Sequence, residues 1–119
     1  MPSYRVGHIH LNSAEPFKTA EFYEKYFNAK RIGIVDRGEL GVIVKLELSG
    51  MKILISPFAK QPGGIVHFGL ITDNLEEAIH ELKSEGVEFT QEITRVPEGF
   101  QISFLTAPEN VHIELQDGE

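Results

Sequence analysis

Histidines in strand-like segments are the side chains of this sequence best suited to binding a metal ion or moving a proton. His8 and His10 are one residue apart near the start of the chain. Successive side chains of a strand point to opposite faces, so these two histidines share one face, while Ile9 and Leu11 share the other. His67 alternates in the same way with its apolar neighbours. The pattern predicts imidazoles on the polar faces of two strands.

The last strand-like segment adds a carboxylate to this pattern, because His112, Glu114 and Gln116 alternate there with Val111, Ile113 and Leu115. If the apolar faces pack against helices, the other faces point inward, and His8, His67 and Glu114 could converge. Two imidazoles and one carboxylate suit Fe²⁺, Mn²⁺, Co²⁺, Ni²⁺ or Zn²⁺ and leave coordination positions open. A half-exposed sheet alternates in the same way, so a solvent-facing role remains the alternative.

Composition excludes several other kinds of chemistry. The chain has no cysteine, so any metal must be held by His, Asp or Glu. A formal charge of −7, scattered basic residues and the absence of a phosphate-binding glycine loop argue against nucleic-acid binding. No apolar run approaches the roughly 18 residues of a membrane helix, and the N-terminus lacks a signal-like pattern. We therefore expect a cytoplasmic protein with no membrane partner.

Hydrophobic periodicity and turn residues predict the elements that must position these side chains. Ser13 is predicted to cap the first helix, and Asp73 with Glu76 forms a capping-box pattern before the second. Gly86 is predicted to end that second helix. The pair Ser49-Gly50 suits a hairpin turn. The predicted order is a strand at 4–12, a helix within 13–30, strands at 31–36, 41–48, 51–56 and 65–72, a helix at 74–86, and strands at 87–96, 101–107 and 110–116.

The same order of elements occurs twice, which predicts an α+β fold of two βαβββ modules. We expect one domain over residues 1–119, with module one at 4–57, a connector at 58–63 and module two at 64–117. The sheets of the two modules would pair into an incomplete barrel around a cup. In this repeat His8 matches His67, at an offset of about 60 residues.

Three motifs occur in order along the chain. They are His8 with Glu15-Pro16, Phe22-Tyr23 and Phe27-Asn28-Ala29; Val66-His67-Phe68-Gly69-Leu70 with Asp73-Asn74; and Pro108-Glu109-Asn110 leading into Ile113-Glu114-Leu115. In this order they resemble the vicinal oxygen chelate superfamily, which includes glyoxalase I, methylmalonyl-CoA epimerase, extradiol dioxygenases and the fosfomycin- and bleomycin-resistance proteins. The resemblance covers essentially the whole chain.

This resemblance implies a divalent metal ion held by His8, His67 and Glu114. By the same resemblance, glyoxalase I and the epimerase both take a fourth metal ligand from the last strand of the first module. This chain has Leu54 at that position. A three-ligand site favours dioxygenase or lyase chemistry, on a small substrate that chelates the metal through oxygens, over a glyoxalase I reaction. Glu47 would be the fourth ligand only if the strand register differed.

Three further residues are candidates for roles around the metal. His10 could carry a proton, and Arg95 and His112 could bind substrate. The alternative for His10 is a partly exposed strand histidine without a catalytic role, and the alternative for Arg95 is a solvated charge in a loop. The alternative is that the chain is a metal-free protein that binds a small molecule and resembles the bleomycin-resistance members of the superfamily. Uncovered sheet edges and the resemblance together predict a homodimer.

Overall fold

A computed structural model describes residues 2–60 and 63–119 of the chain. Residues 61 and 62 of the predicted connector lie outside the described residues. Single-turn 3-10 helices occur at Gly38–Leu40 and Pro108–Asn110. The longer elements, in chain order, are β1 (Tyr4–Asn12), α1 (Pro16–Phe27), β2 (Lys30–Asp36), β3 (Val42–Leu48), β4 (Met51–Ser56), β5 (Gly64–Thr72), α2 (Leu75–Ser84), β6 (Glu88–Arg95), β7 (Gln101–Ala107) and β8 (Val111–Gln116).

The order strand, helix, strand, strand, strand occurs twice, and each occurrence contributes a mixed sheet of four strands. The predicted α+β fold class is therefore confirmed. By its internal contacts the chain divides into two compact units. We call residues 8–66 the first half, and residues 1–7 together with 67–119 the second half.

In the first half the strands follow the order β2-β3-β4-β1. β1 and β4 are parallel, whereas β2 pairs with β3 and β3 with β4 in antiparallel fashion. Ser49 and Gly50, with φ of 52° and 82°, make the tight turn between β3 and β4 that their sequence predicts. Apolar side chains of β3 and β4, including Leu46 and Ile55, form a core with Ala20 of α1.

The start of α1 differs from the prediction. Ser13 is not the cap, because the helix begins at Pro16 and its N-cap residue is Glu15, which makes no side-chain capping bond. The Ser13 hydroxyl instead accepts from the backbone N–H of Glu15 and lies 2.6 Å from the hydroxyl of Thr19. Pro16 suits the first helical position because its missing N–H would have no helical partner.

In the second half the strands follow the order β5-β8-β7-β6, with β5 and β8 parallel. β6 pairs with β7 and β7 with β8 in antiparallel fashion. Leu75 and Ile79 of α2 form a core with Leu105 and Leu115. No helix in the described ranges is long and apolar enough to cross a membrane.

The cap of α2 lies one residue later than its sequence predicts. The side chain of Asn74 accepts from the backbone N–H of Glu77 at 3.1 Å. Asp73 instead accepts from the backbone N–H of Ser3 at 2.9 Å, and this hydrogen bond holds the pKa of the Asp73 carboxyl below its usual value. Gly86, with φ of 92°, follows the helix end, as predicted.

Candidate metal and substrate site

One face of the first-half sheet carries both N-terminal histidines. In the parallel pair β1–β4, His8 pairs with Lys52 and His10 with Leu54. Paired residues of neighbouring strands point to the same side of a sheet. The alternate residue Leu11 packs against the core under α1, as the apolar pattern predicts. We call the opposite side the His8 face; it carries His8, His10, Asn12, Lys52, Leu54 and Ser56.

The two imidazoles of the His8 face have different surroundings. His8 is 4% exposed, and its ring centroid lies 6.3 Å from that of His10 in an edge-on arrangement. Nε2 of His10 lies 2.7 Å from the hydroxyl oxygen of Ser56, a hydrogen bond between β1 and β4. Ser56 is itself buried. The two histidines therefore differ in burial, since His8 is buried and His10 is only partly buried.

The second half has a matching polar face around Glu114 of β8. Glu114 pairs with Gly69 of β5 on one side and with Phe104 of β7 on the other. The ring of His67 packs edge-on against Phe104, at 5.2 Å between centroids. Nε2 of His67 lies 3.6 Å from Oε1 of Glu114. We call this side the Glu114 face; it carries His67, Gly69, Phe104, His112, Glu114 and Gln116.

The spacing of His67 and Glu114 fits two ligands of one metal ion. At 3.6 Å the two atoms are too far apart for a hydrogen bond. Two donors each about 2.1 Å from one tetrahedral ion lie about 3.4 Å apart. Their side chains are only 9% and 13% exposed, so they offer partly dehydrated donors. His8 and His10 of the first half also offer imidazole nitrogens that could bind a metal ion.

The position of a fourth ligand in the first half is occupied by an apolar side chain. Leu54 pairs with His10 in the first half, and Glu114 pairs with Gly69 in the second. Since His10 and Gly69 each lie two residues after the first histidine of their strand, Leu54 and Glu114 hold equivalent positions. A leucine has no donor atom, so this position cannot coordinate a metal.

Glu47 does not take over that position. It lies on β3, where it pairs with Lys52 of β4, and its side chain is exposed. The Ser49–Gly50 turn separates β3 from β4, as the sequence predicts. The carboxylate of Glu47 is therefore one strand farther from β1 than Leu54 is.

The two predicted substrate-binding residues occupy different sides of the second half. His112 is exposed and lies on the Glu114 face, two residues before Glu114 and opposite Thr106. Arg95 pairs with Gln101, which places it on the side of the sheet away from Glu114, and its guanidinium donates to the carbonyl of Gly99. The fold thus brings His112, but not Arg95, to the face of Glu114.

Sequence reasoning missed Ser56 and Lys52 as members of the His8 face. Strand alternation in residues 51–56 places Lys52, Leu54 and Ser56 on one side of β4, and this shared side could be predicted from the sequence. The pairing of β4 with β1 joins segments about 45 residues apart through parallel register, which short-range patterns do not encode.

A separate cavity of about 650 Å³ lies within the second half. Its walls are mostly apolar and include Leu82 of α2, Leu105 of β7 and Leu115 of β8. These residues belong to the core beneath α2 or pack against it, on the side of the sheet away from Glu114. The cavity contains none of the predicted metal or substrate residues.

The sequence matches a family model over residues 5–115, that of the Glyoxalase/Bleomycin resistance protein/Dioxygenase superfamily. The chain belongs to this superfamily. The predicted resemblance is thereby confirmed at the level of the family. No curated protein matches the sequence.

Solved structures share the fold over nearly the whole chain. A hypothetical protein from Bacillus halodurans C-125 is 26% identical, with a TM-score of 0.83 over 98% of this chain and 96% of its own. Methylmalonyl-CoA epimerase from Mycobacterium tuberculosis is 20% identical, with a TM-score of 0.77 over 93% of this chain and 85% of its own. A Streptomyces coelicolor methylmalonyl-CoA epimerase variant in complex with 2-nitronate-propionyl-CoA is 22% identical, with a TM-score of 0.72 over 94% of this chain and 95% of its own.

Proposed function

We propose that this protein is a divalent-metal enzyme whose metal ligands are His8, His67 and Glu114. The observation that carries the proposal is the pairing of two largely buried donors, with Nε2 of His67 3.6 Å from Oε1 of Glu114. Membership of the superfamily supports His8, the residue equivalent to His67 in the first half, as the third ligand.

The ligand set favours dioxygenase or lyase chemistry over a four-ligand glyoxalase I reaction. Leu54 occupies the position equivalent to Glu114, so it offers neither a fourth ligand nor a carboxylate base. When bound, a divalent ion held by two imidazoles and one carboxylate would polarise the oxygens of a small chelating substrate. The metal could be Fe²⁺, Mn²⁺, Ni²⁺, Co²⁺ or Zn²⁺.

The remaining residues of the two faces have roles in binding substrate and moving protons. Lys52, the register partner of His8, adds a cation to the His8 face and would attract an anionic oxygen of the substrate. His10, on the same face as His8, would exchange a proton with the substrate. His112 would contact the substrate from the Glu114 face. Substrate binding by Arg95 remains a prediction that no contact of its guanidinium supports.

We further propose that residues 1–119 act as a single domain in a homodimer. The end strands β2 and β6 present edges that a second copy could cover. The His8 face and the Glu114 face could combine within one chain or between two copies. Light scattering at working concentration tests the dimer, and a monomer would contradict it.

Metal analysis of the purified protein tests the central proposal. We expect one divalent ion per pair of faces, retained by the wild-type protein and lost in His67→Ala. His80→Ala is the matched control, because His80 is exposed on α2 and should leave the metal content unchanged. Equal metal loss in both variants, or no metal in the wild type after reloading, would contradict the proposal.

Turnover assays then identify the reaction class. Protein loaded with each metal is given a catechol or the hemithioacetal of methylglyoxal and glutathione. We expect no turnover of the hemithioacetal, because Leu54 replaces the fourth ligand. Oxygen uptake with the catechol would support the dioxygenase class, whereas efficient hemithioacetal turnover would contradict the three-ligand assignment.

A further inference from the structure

The cavity of about 650 Å³ in the second half combines an apolar interior with an acidic margin. Leu105 and Leu115 in its wall are 6% and 1% exposed, whereas Glu85 and Glu88, which also line it, are exposed. Its volume lies within the range of about 300–1,000 Å³ that is typical of small-molecule sites. In the described part of the chain, no lysine or arginine lines this cavity. The cavity can therefore bury an apolar group and presents carboxylates where it meets solvent.

The carboxylates at the margin continue a row along α2. Glu77, Glu81 and Glu85 recur every four residues, from the first turn of α2 to its C-cap residue, so they lie on one face of the helix. We call these three residues the acidic row. Like charges at this spacing repel each other and destabilise a helix. Within the described ranges, the carboxylates of Glu81 and Glu85 have no hydrogen bond or ion pair that offsets this repulsion.

Tyr4 of β1 connects the acidic row with the cavity, because it is one of the residues that line the cavity. Partial burial raises the pKa of the Tyr4 hydroxyl, and the negative charges of Glu81, Asp73 and Glu77 raise it further. A nearby carboxylate has this effect on a phenol because it disfavours a second negative charge. The acidic row therefore acts electrostatically on the wall of the cavity.

Basic side chains of the second half do not neutralise this acidic region. This half has three lysines and arginines against twelve aspartates and glutamates, whereas the first half has eight against six. Lys83 pairs with Glu92 at 2.9 Å, and Arg5 pairs with Glu119 at 3.2 Å. Arg95 donates to a backbone carbonyl. The negative charge beside the cavity is therefore available to a cation from solution.

We propose that this cavity is a binding site for a small organic cation with an apolar body. Leu105, Leu115 and the other apolar residues of the wall would hold the apolar body. Glu85 and Glu88 would hold the ammonium group at the margin, and the acidic row would strengthen the attraction. A neutral ligand of the same shape would gain the apolar contacts alone. The cavity lies on the side of the sheet away from Glu114, so this site is independent of the proposed metal centre.

Fluorescence titration of the full chain with three pyrene probes tests the proposal, in a low-salt buffer that contains a chelator. At about pH 7, 1-pyrenemethylamine is cationic, 1-pyrenemethanol is neutral and 1-pyreneacetate is anionic, and all three share one apolar body. We expect the amine to bind about tenfold more tightly than the alcohol, and the anion to bind most weakly, because several exposed carboxylates attract the ammonium group together. Equal affinities for the amine and the alcohol would overturn the proposal.

Variants of the acidic margin and of the wall locate the bound probe. Glu85→Gln should weaken binding of the amine about threefold and leave the alcohol unaffected. Glu76→Gln is the matched control, because Glu76 is exposed on the same helix but lies outside the acidic row and does not line the cavity. Ala107→Phe adds a ring to the wall and should weaken both probes about tenfold, with circular dichroism as the check on folding. Equal effects of Glu85→Gln and Glu76→Gln, or unchanged binding in folded Ala107→Phe, would overturn the proposal.

Discussion

The two halves of this protein use the same order of elements to present different chemistry. Both have a histidine on the first strand, and both pair that strand in parallel with their last strand. They differ at the neighbouring positions of the same face. The equivalent pairs are His8 with His67, His10 with Gly69, Leu54 with Glu114, and Ser56 with Gln116.

The difference shows how one backbone pattern can present different functional groups at equivalent positions. In the second half the register partner of Glu114 on β5 is Gly69, which has no side chain. In the first half the equivalent residue is His10, its neighbour is Leu54, and its ring is held by Ser56. At equivalent places, one half thus presents a carboxylate, and the other presents an imidazole held by a hydrogen bond.

The cores of the two halves differ as well. Leu46 and Ile55 of the first half are fully buried beneath α1. In the second half, Leu105 and Leu115 border the cavity of about 650 Å³ at the end of α2. Leu46 and Ile55 are therefore enclosed, whereas Leu105, which is 6% exposed, borders a large space.

Truncating the closed core should have the largest effect. We expect Leu46→Ala to lower the free energy of unfolding by about 4 kcal/mol, because the cavity it leaves is enclosed, and Leu105→Ala by about 2 kcal/mol. Urea unfolding followed by circular dichroism measures both values. Leu40→Ala, at a residue 71% exposed, serves as the control and should change stability by less than about 0.5 kcal/mol. Equal losses at Leu46 and Leu105 would contradict the difference between the cores.

Replacing the carboxylate that distinguishes the second half should weaken metal binding. We expect Glu114→Gln to reduce zinc affinity at least about 100-fold, which corresponds to about 2.7 kcal/mol. Even substitutions of residues that only hydrogen-bond to metal ligands typically lower metal affinity about 10- to 100-fold. Competition with a chromophoric chelator measures the affinity. Glu47→Gln, on β3 of the first half, should leave it unchanged. A larger loss of zinc affinity in Glu47→Gln than in Glu114→Gln would contradict this prediction and indicate that the carboxylate ligand lies in the first half.

Making the first half resemble the second at this position should add a ligand. We expect Leu54→Glu to tighten cobalt binding by about tenfold, near 1.4 kcal/mol, and to change the visible absorption of bound Co²⁺ as the coordination number rises. Leu48→Glu, at a partly buried leucine on β3, is the control for an added negative charge. An unchanged cobalt spectrum in Leu54→Glu would show that the two positions are not equivalent in space.

The helix caps should give the smallest difference between the halves. Asn74→Ala removes the side chain that caps α2 and should cost about 1 kcal/mol of unfolding free energy. Glu15→Ala should cost little, because Glu15 makes no side-chain capping bond at the start of α1. Thermal unfolding of the two variants measures both effects. A larger loss of stability in Glu15→Ala than in Asn74→Ala would contradict this difference between the two helix caps.

Most of the fold was predictable because its signals are local. Alternation marks the strands, helical spacing marks α1 and α2, and Ser49-Gly50 marks a hairpin. The helix starts were misplaced, at Ser13 and at Asp73, since several polar residues precede each helix and only backbone geometry selects the cap. These errors of one or two residues leave the order of elements unchanged.

The sequence by itself determined the α+β order, the repeat, and the polar faces that carry His8, His67 and Glu114. Each depends on the spacing of residues within one strand or helix. Only the tertiary structure decided that Ser56 bonds to His10, that Lys52 lies beside His8, and that Arg95 lies away from Glu114. The physical reason is register: strand pairs distant along the chain are aligned by the packing of the whole sheet, which no local pattern records.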